Sequence, residues 1–196
     1  MLLTRSFYKL DTEEVACGLL GCCLCHETEE GLVSGIIVET EAYLSRNDPA
    51  CHASRGMTRR NATMFGPPGH AYIYFIYGNH YCFNIVTGPK GLGEAVLIRA
   101  VEPVSGLDLM YYRRGKVESI TDLTSGPGKL CQAFAIDKKL DGHDLRNKPL
   151  FICGKSTVGD RQIVVTPRIG ISSAKDKKLR FIISGNKYLS RRESVG

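Results

Sequence analysis

Residues 32–43 are rich in β-branched and apolar side chains and follow the turn-forming segment Glu29-Glu30-Gly31. This pattern predicts a long strand, preceded across the turn by a shorter strand over residues 22–26. Side chains alternate between the two faces of a strand, so its two faces are expected to differ in character. The side chains predicted on one face are Glu39, Glu41 and Tyr43, and those on the other are Ile36, Val38 and Ala42. We expect the second face to be core and the first to carry chemistry.

Two aromatic-rich segments follow each other closely in the middle of the chain. Residues 71–76 and 81–86 have the composition of strands, and the short connection between them contains Gly78 and Asn79, which favour a tight turn. The pattern therefore predicts a β-hairpin. The preceding segment, residues 45–69, combines arginines with glycines and prolines and is predicted to be one long loop of the kind that carries function.

The remaining elements are shorter. A helix is predicted from Asp11 to about Leu20, because Asp11 and Glu14 have the spacing of a capping pair, and a second from Gly126 to Ile136, because proline is tolerated in a first turn. Further strands are predicted over residues 95–100, 150–153, 162–165 and 179–184. Strands and helices do not alternate regularly. We therefore expect an α+β fold, with a mixed, mostly antiparallel curved sheet, a protruding β-hairpin and surrounding helices.

Composition and charge narrow the class of protein without fixing it. The chain has 196 residues, 43% hydrophobic and 23% charged, which predicts one domain over residues 1–196 with a frayed, basic tail at 190–196. The formal net charge of +6 suits a polyanionic partner, an acidic membrane surface or simple solubility. Arg5 comes too early for a signal-peptide core, and no stretch approaches the roughly 18–20 uncharged apolar residues of a membrane helix. We expect a cytoplasmic monomer that does not contact a membrane.

The cysteines and glycine-rich segments do not predict a cofactor. Cys22 and Cys25 have C-x-x-C spacing, but no second pair completes a four-ligand zinc site, so buried free thiols are expected and no metal. The segment Gly126-Pro127-Gly128-Lys129 is followed by Leu130, where a phosphate-binding P-loop needs serine or threonine. Neither a metal nor an organic cofactor is predicted.

Glu41 is the candidate for chemistry, because it lies on the polar face of a predicted strand beside a basic loop. A buried carboxylate there can accept a proton from water while opposing positive charge on a sugar during glycosidic cleavage. Alternatively, Glu41 has a purely structural role and forms a salt bridge with one of the loop arginines. Tyrosines in and near the hairpin can stack on an extruded nucleobase, although hairpin tyrosines also simply pack. Tyr77, at the predicted turn, has the position of a side chain that wedges into a duplex.

Several motifs occur in order between about Leu10 and Gly185. They are Glu39-Thr40-Glu41-Ala42-Tyr43, His52, Tyr72-Ile73-Tyr74-Phe75-Ile76-Tyr77-Gly78, Asn84, Val96-Leu97-Ile98-Arg99-Ala100 and Ser125-Gly126-Pro127-Gly128-Lys129-Leu130-Cys131-Gln132-Ala133. Together they resemble the alkyladenine, or 3-methyladenine, DNA glycosylase family. The resemblance implies a monofunctional base-excision-repair enzyme that flips an alkylated or deaminated purine from double-stranded DNA and hydrolyses its N-glycosidic bond, leaving an abasic site.

The resemblance also implies roles for the matching positions. Glu41 corresponds to the general base that deprotonates the attacking water, and Arg99 to the arginine that helps to hold that water. The residues that match the base pocket are Tyr43, Ala50, His52, Tyr74 and Asn84. Within that pocket, the Ala50 amide would read the base edge and Asn84 would reject the 2-amino group of normal guanine.

Three further assignments concern the DNA and the water. Tyr77 matches the intercalating residue, and Arg59 and Arg60 are candidates for contacts with the DNA backbone. The segment 168–171, with Ile169 as the assigned residue, is expected to supply a backbone carbonyl to the water site. Two alternatives from other classes stay open: a carbohydrate glycosidase that uses Glu39 and Glu41 as paired carboxylates, and a non-catalytic protein that binds damaged DNA.

Overall fold

One antiparallel sheet of eight strands organises the part of the chain that this computed structural model describes, residues 1–76, 78–154 and 162–191. The strands are β1 (Cys23–Thr28), β2 (Gly31–Tyr43), β3 (Ala71–Ile76), β4 (His80–Thr87), β5 (Glu94–Ser105), β6 (Leu150–Cys153), β7 (Ile163–Thr166) and β8 (Arg180–Ile183). Their order along the main path is β3-β4-β5-β2-β1-β6, and β8 pairs with both β2 and β7. The predicted α+β class with a mostly antiparallel sheet is confirmed.

Four α-helices accompany the sheet in the described ranges: α1 (Arg5–Tyr8), α2 (Thr12–Gly18), α3 (Leu107–Arg114) and α4 (Pro127–Ala133). The sequence predicted α2 and α4, but not α1 or α3. α4 ends before Ile136 because Phe134 caps it and Ala135 takes a positive φ of 52°. Within the described ranges, no helix is both long enough and apolar enough to cross a membrane.

The main core lies between the sheet and helices α2 and α4. Ile73, Phe83 and Ile98 from β3, β4 and β5 are fully buried there, together with Val15 from α2 and Leu130 from α4. Each such side chain contributes about 1.5–3 kcal/mol when it leaves water. Because strand side chains alternate, the neighbours of these core residues on β3, β4 and β5 point to the other face of the sheet, where the site forms.

A β-bulge in β2 changes the predicted division of its faces. The pairing with β5 shifts register between Ile37 and Glu39, where Val38 is the extra residue in β2, and again between Glu39 and Thr40, where Arg99 is the extra residue in β5. As a result, Ile36 and Val38 pack in a small cluster around Ile182, whereas Ala42 belongs to the main core. The prediction that Ile36, Val38 and Ala42 share one face was wrong, because an extra residue in the strand reverses the alternation beyond it.

The hairpin is formed by β3 and β4, which pair from Ala71 opposite Ile85 to Ile76 opposite His80. Its projection from the rest of the molecule stays a prediction, and Tyr77 lies outside the described residues. Of the segment 190–196, which was predicted to fray, only Ser190 and Arg191 are described. The domain limits of 1–196 likewise stay a prediction.

Candidate active site

Four adjacent strands present polar and aromatic side chains on the face opposite the main core. β3 contributes Tyr72 and Tyr74, and β4 contributes Asn84, directly across from Tyr72. β5 contributes Arg99, and β2 contributes Glu41 and Tyr43. Tyr72, Asn84 and Glu41 are all buried, so these groups are removed from water and must bind one another or a ligand.

Glu41 is fully buried, and its carboxylate accepts three hydrogen bonds. Its Oε2 atom accepts from the Tyr43 hydroxyl at 2.8 Å and from Arg99 Nη1 at 3.2 Å. Its Oε1 atom accepts from the backbone N–H of Ile169 at 2.8 Å. A carboxylate has about four acceptor positions, so within the described chain one position remains on Oε1. All three partners are donors, so the contacts hold the carboxylate in one orientation.

Arg99 lies between two buried carboxylates. Its Nη1 bonds Glu41, and its Nε donates to Glu39 Oε1 at 3.1 Å. Burial acts to lower the pKa of Arg99, but the charges of Glu41 and Glu39 raise it above its ordinary value. The guanidinium therefore stays charged and holds the negative charge of Glu41 in place.

Glu39, in contrast, already accepts four hydrogen bonds. Its Oε1 accepts from Arg99, from Arg180 Nε at 2.7 Å and from the Ser190 hydroxyl at 2.8 Å, and its Oε2 accepts from the Ser190 amide at 2.6 Å. The side chain is fully buried. A fully buried carboxylate that pairs with two arginines and accepts four hydrogen bonds is poorly suited to act as a second catalytic carboxylate, which weighs against the carbohydrate glycosidase alternative.

A buried ion pair fastens the loop after β2 to the segment after β7. Arg168 Nη1 and Nη2 donate to the two oxygens of Asp48 at 2.7 and 2.6 Å, and neither side chain is exposed. Arg168 also donates to the Ala42 carbonyl, and its guanidinium lies 4.6 Å from the centre of the Tyr43 ring. Burial acts to raise the pKa of Asp48, but hydrogen bonds from Arg168 and from the Leu44 amide lower it below its ordinary value.

Contacts within the loop and with the turn before β5 also fix the position of the loop. Asn61 is buried and its amide donates to the carbonyls of His52 and Gly56 at 2.8 and 3.1 Å. Gly93, just before β5, has a φ of +77°, and a Cβ atom there would lie 2.6 Å from Phe65 and 2.8 Å from Ala53. Only glycine fits this turn without strain. The loop is thereby placed against the site face of the sheet.

A cleft of about 230 Å³ opens between this loop, the hairpin strands and the segment after Arg168. All five predicted pocket residues line it: Tyr43, Ala50, His52, Tyr74 and Asn84. Glu41 and Arg99 lie behind the cleft wall, where Glu41 touches Tyr43. Pockets for drug-sized ligands occupy roughly 300–1,000 Å³, so this cleft suits a smaller molecule.

His52 stands among the tyrosines of the cleft. Its Nδ1 lies 2.9 Å from the Tyr72 hydroxyl, and its ring meets that of Tyr74 edge-on at 4.6 Å. The pKa of His52 is lowered, first because partial removal of the ring from water disfavours its charged form and second because of the positive charge of Arg60. Burial raises the pKa of Tyr43, and the nearby Glu41 charge adds to this effect. Both side chains are therefore neutral near pH 7.

The other predicted residues lie around this centre. Arg59 and Arg60 are exposed on the loop, and Arg60 Nη2 bonds the Phe75 carbonyl at 3.3 Å. The backbone group of Ile169 that meets Glu41 is an amide N–H, whereas a carbonyl was expected from this segment. A contribution of its carbonyl to a water site stays a prediction, as does the intercalation by Tyr77, which lies outside the described residues.

Sequence reasoning missed the residues that position the site from a distance. Asp48, Arg168, Arg180 and Ser190 were not predicted to act on it, and Ser172 and Ser173 were not predicted to line the cleft. The only sequence signal for any of these residues was that Arg168 begins the segment 168–171, which was expected to contribute to the water site. In the described part of the chain, the one group of side chains with ligand atoms close enough for a metal ion lies on β1 and β6 rather than in the cleft.

Known proteins are similar to this chain over nearly its whole length. A family model described as methylpurine-DNA glycosylase (MPG) matches residues 6–187. A protein of Carboxydothermus hydrogenoformans is 56% identical over 193 residues, which cover 98% of this chain and 100% of that protein. A protein of Methanoculleus marisnigri is 53% identical over 195 residues, with coverages of 98% and 100%, and one of Legionella pneumophila (strain Paris) is 44% identical over 192 residues, with coverages of 96% and 98%. All three carry the name "Putative 3-methyladenine DNA glycosylase".

Proposed function

The chain belongs to the methylpurine-DNA glycosylase family, and from this premise we propose that it excises damaged purines from duplex DNA by base flipping and Glu41-activated hydrolysis. The family expected from the order of the motifs is thereby confirmed, and its chemistry is hydrolysis of an N-glycosyl bond. The proposed substrates are alkylated or deaminated purines: 3-methyladenine, 7-methylguanine, hypoxanthine and etheno-adenine. The observation that carries the proposal is the buried, triply hydrogen-bonded Glu41 carboxylate directly behind an aromatic cleft.

The flipped base enters the cleft and stacks on its aromatic walls. Tyr43, His52 and Tyr74 supply three rings, and stacking of a base on an aromatic ring contributes about 1–3 kcal/mol. Alkylation that leaves a positive charge on the purine strengthens this contact, because the faces of the rings attract cations. Asn84, whose amide is fixed by a hydrogen bond to the Tyr72 carbonyl at 3.1 Å, narrows the cleft against the 2-amino group of guanine.

Glu41 activates the water at the remaining acceptor position of Oε1. As the bond from C1′ to the base nitrogen lengthens, positive charge develops on the sugar, and the ionised carboxylate stabilises it. The water oxygen bonds C1′, its proton passes to Glu41, and the electron pair of the broken bond leaves with the base. Hydrogen bonds from Arg99, Tyr43 and the Ile169 amide fix the carboxylate in position before the reaction.

The charge of the base decides how easily it leaves. A cationic purine such as 3-methyladenine departs as a neutral molecule, whereas hypoxanthine requires a proton or a hydrogen bond from the site. The resemblance matches no lysine or proline to a Schiff-base nucleophile, so the product is an abasic site without strand cleavage.

DNA is the partner that the cleft requires, and the exposed cations near its mouth fit that role. Arg59 and Arg60 lie on the loop that forms one wall, and the chain carries a formal charge of +6. Tyr77 is proposed to fill the space that the flipped nucleotide leaves. Phosphate contacts release counterions, so affinity for duplex DNA should fall steeply as salt is added.

A single-turnover excision assay tests the proposal. The wild-type protein should release the base from duplexes containing 3-methyladenine or hypoxanthine and leave an alkali-labile abasic site. Glu41→Gln should bind the same duplex but react about 10²–10⁴-fold more slowly, as expected for loss of a general base. Glu102→Gln is the matched control, since Glu102 accepts a bond from Asn186 on a different part of the sheet and should leave the rate unchanged.

Two outcomes would contradict this function. Wild-type excision rates in Glu41→Gln would remove the side chain from its role in water activation. Tight binding of lesion-containing duplexes without release of any base by the wild-type protein would favour the non-catalytic damaged-DNA binder.

A further inference from the structure

Three cysteine side chains meet on one face of the sheet, away from the cleft. Cys23 and Cys25 lie two residues apart on β1 and therefore point to the same side, and Cys153 on β6 is the direct partner of Cys23 across the strands. The Cys25 sulfur lies 3.6 Å from the Cys23 sulfur and 3.9 Å from the Cys153 sulfur. All three sulfur atoms lie within 4.8 Å of one another.

These separations match those of sulfur atoms that share a metal ion. A tetrahedral zinc ion with Zn–S distances of about 2.3 Å holds its sulfur ligands roughly 3.8 Å apart. A disulfide, in contrast, requires about 2.05 Å between its sulfur atoms. The two distances at Cys25 are therefore those of a ligand set rather than of a covalent bond.

The surroundings allow an ion to enter and keep its ligands oriented. Cys25 is buried, whereas Cys23 and Cys153 are partly exposed, so the cluster has one side open to solvent. Ser34 is the direct partner of Cys25 across β1 and β2, so a hydroxyl group lies on the strand next to the cluster. A hydroxyl group in this position can serve as an outer partner that orients metal-bound sulfur.

We propose that Cys23, Cys25 and Cys153 bind one zinc ion through three thiolates, with a water molecule completing the tetrahedron. The thiols release their protons to solvent as the ion binds. This set differs from the Cys22 and Cys25 pair that the sequence spacing singled out, because Cys22 precedes β1 and strand alternation selects positions 23 and 25.

The proposed ion would join two distant parts of the chain at the margin of the sheet. β6 is the last strand on the main path and is held there by pairing with β1. Cys153 also bridges to Leu2 near the start of the chain. Zinc would therefore stabilise the folded protein without taking part in base excision, so its removal should lower the melting temperature and leave the excision rate of the folded enzyme unchanged.

Metal binding by the full-length reduced protein tests this proposal. After treatment with a chelator, the wild type should take up one equivalent of zinc in competition with a chromophoric chelator. Cys23→Ser and Cys153→Ser should each weaken the binding by more than about 100-fold, because loss of outer partners alone costs 10–100-fold. Cys17→Ser, which changes a partly buried thiol of α2 outside the cluster, is the matched control and should bind zinc like the wild type.

Cobalt provides a second readout that does not depend on the variants folding well. Cobalt bound to the wild-type protein should show thiolate-to-metal charge-transfer absorption. The proposal is overturned if the wild type takes up no zinc, if zinc binding survives both serine substitutions, or if cobalt binds without that absorption. A disulfide within the cluster of the protein purified without reductant, detected by mass spectrometry after proteolysis, would also overturn it.

Discussion

The buried pair of Asp48 and Arg168 gives the sharpest test of how the site is held together. Replacing Asp48 with asparagine keeps the size of the side chain but removes its charge. Arg168 would then remain fully buried with its charge uncompensated, next to the Tyr43 ring at 4.6 Å. The Leu44 amide, which donates to Asp48 at 3.1 Å, would keep only a weaker neutral acceptor.

The size of the effect follows from burial. Removing one partner of a buried ion pair costs about 3–5 kcal/mol, because the other charge stays desolvated. For a protein of this length each kcal/mol lowers the melting temperature by about 2–4 °C, so Asp48→Asn should lower it by roughly 6–20 °C. Asp122→Asn is the matched control: Asp122 bonds Lys129 at 2.8 Å, but these side chains are 47% and 39% exposed. That exposed pair should contribute at most about 1 kcal/mol.

Urea and thermal unfolding of the two variants measure this difference. The pKa of Asp48 is lowered in the folded protein, so the folded state binds fewer protons than the unfolded state near the carboxyl pKa. The stabilisation is therefore present above the unfolded value of about 3.9 and is lost as the pH falls further. Asp48→Asn should show a shallower loss of stability in that acid range. Equal, small losses for Asp48→Asn and Asp122→Asn would refute the reasoning that burial decides the strength of the pair.

Three substitutions around the cleft test separately the electrostatic effect on His52, the selectivity against guanine and the intercalation into DNA. Arg60→Ala removes a positive charge near His52, so the pKa of His52 should rise in an NMR titration, and an unchanged value would contradict the coupling. Asn84→Ser should raise the release of normal guanine relative to 3-methyladenine by about tenfold or more, since one small group in a pocket is worth about 1–3 kcal/mol; an unchanged ratio would remove Asn84 from this role. Tyr77→Ala should weaken binding to lesion-containing duplexes with little change in melting temperature, whereas a large fall in melting temperature would show that Tyr77 is a core residue.

The local sequence pattern was sufficient to predict the strands that carry the site. The run of β-branched residues before Tyr43 predicted β2 to within one residue, and the two aromatic segments predicted both strands of the hairpin. α3 was missed because nothing local marks its beginning: Gly106 precedes it in a left-handed conformation, and no side chain caps it. The bulge in β2 was also missed, because a single extra residue leaves no trace in the hydrophobic pattern.

The long-range contacts of the site could not be predicted from spacing. Glu39 is bonded by Arg180 and Ser190, which lie 141 and 151 residues further along the chain. Asp48 and Arg168 are 120 residues apart. That the pocket residues lie together was predicted from the family resemblance. Taken alone, each tyrosine or histidine would have been assigned to packing. The cysteine cluster was missed for the same reason, because Cys153 meets β1 only through the sheet.

The central claim is that the damaged base lies in the cleft beside Glu41. A crystal structure of Glu41→Gln bound to a duplex containing hypoxanthine tests this claim directly. The account predicts that the base lies outside the helix, in contact with Tyr43, His52 and Tyr74, with C1′ and a water molecule next to the side chain at position 41. A hypoxanthine that remains stacked within the duplex, or that occupies a different part of the protein surface, would contradict it.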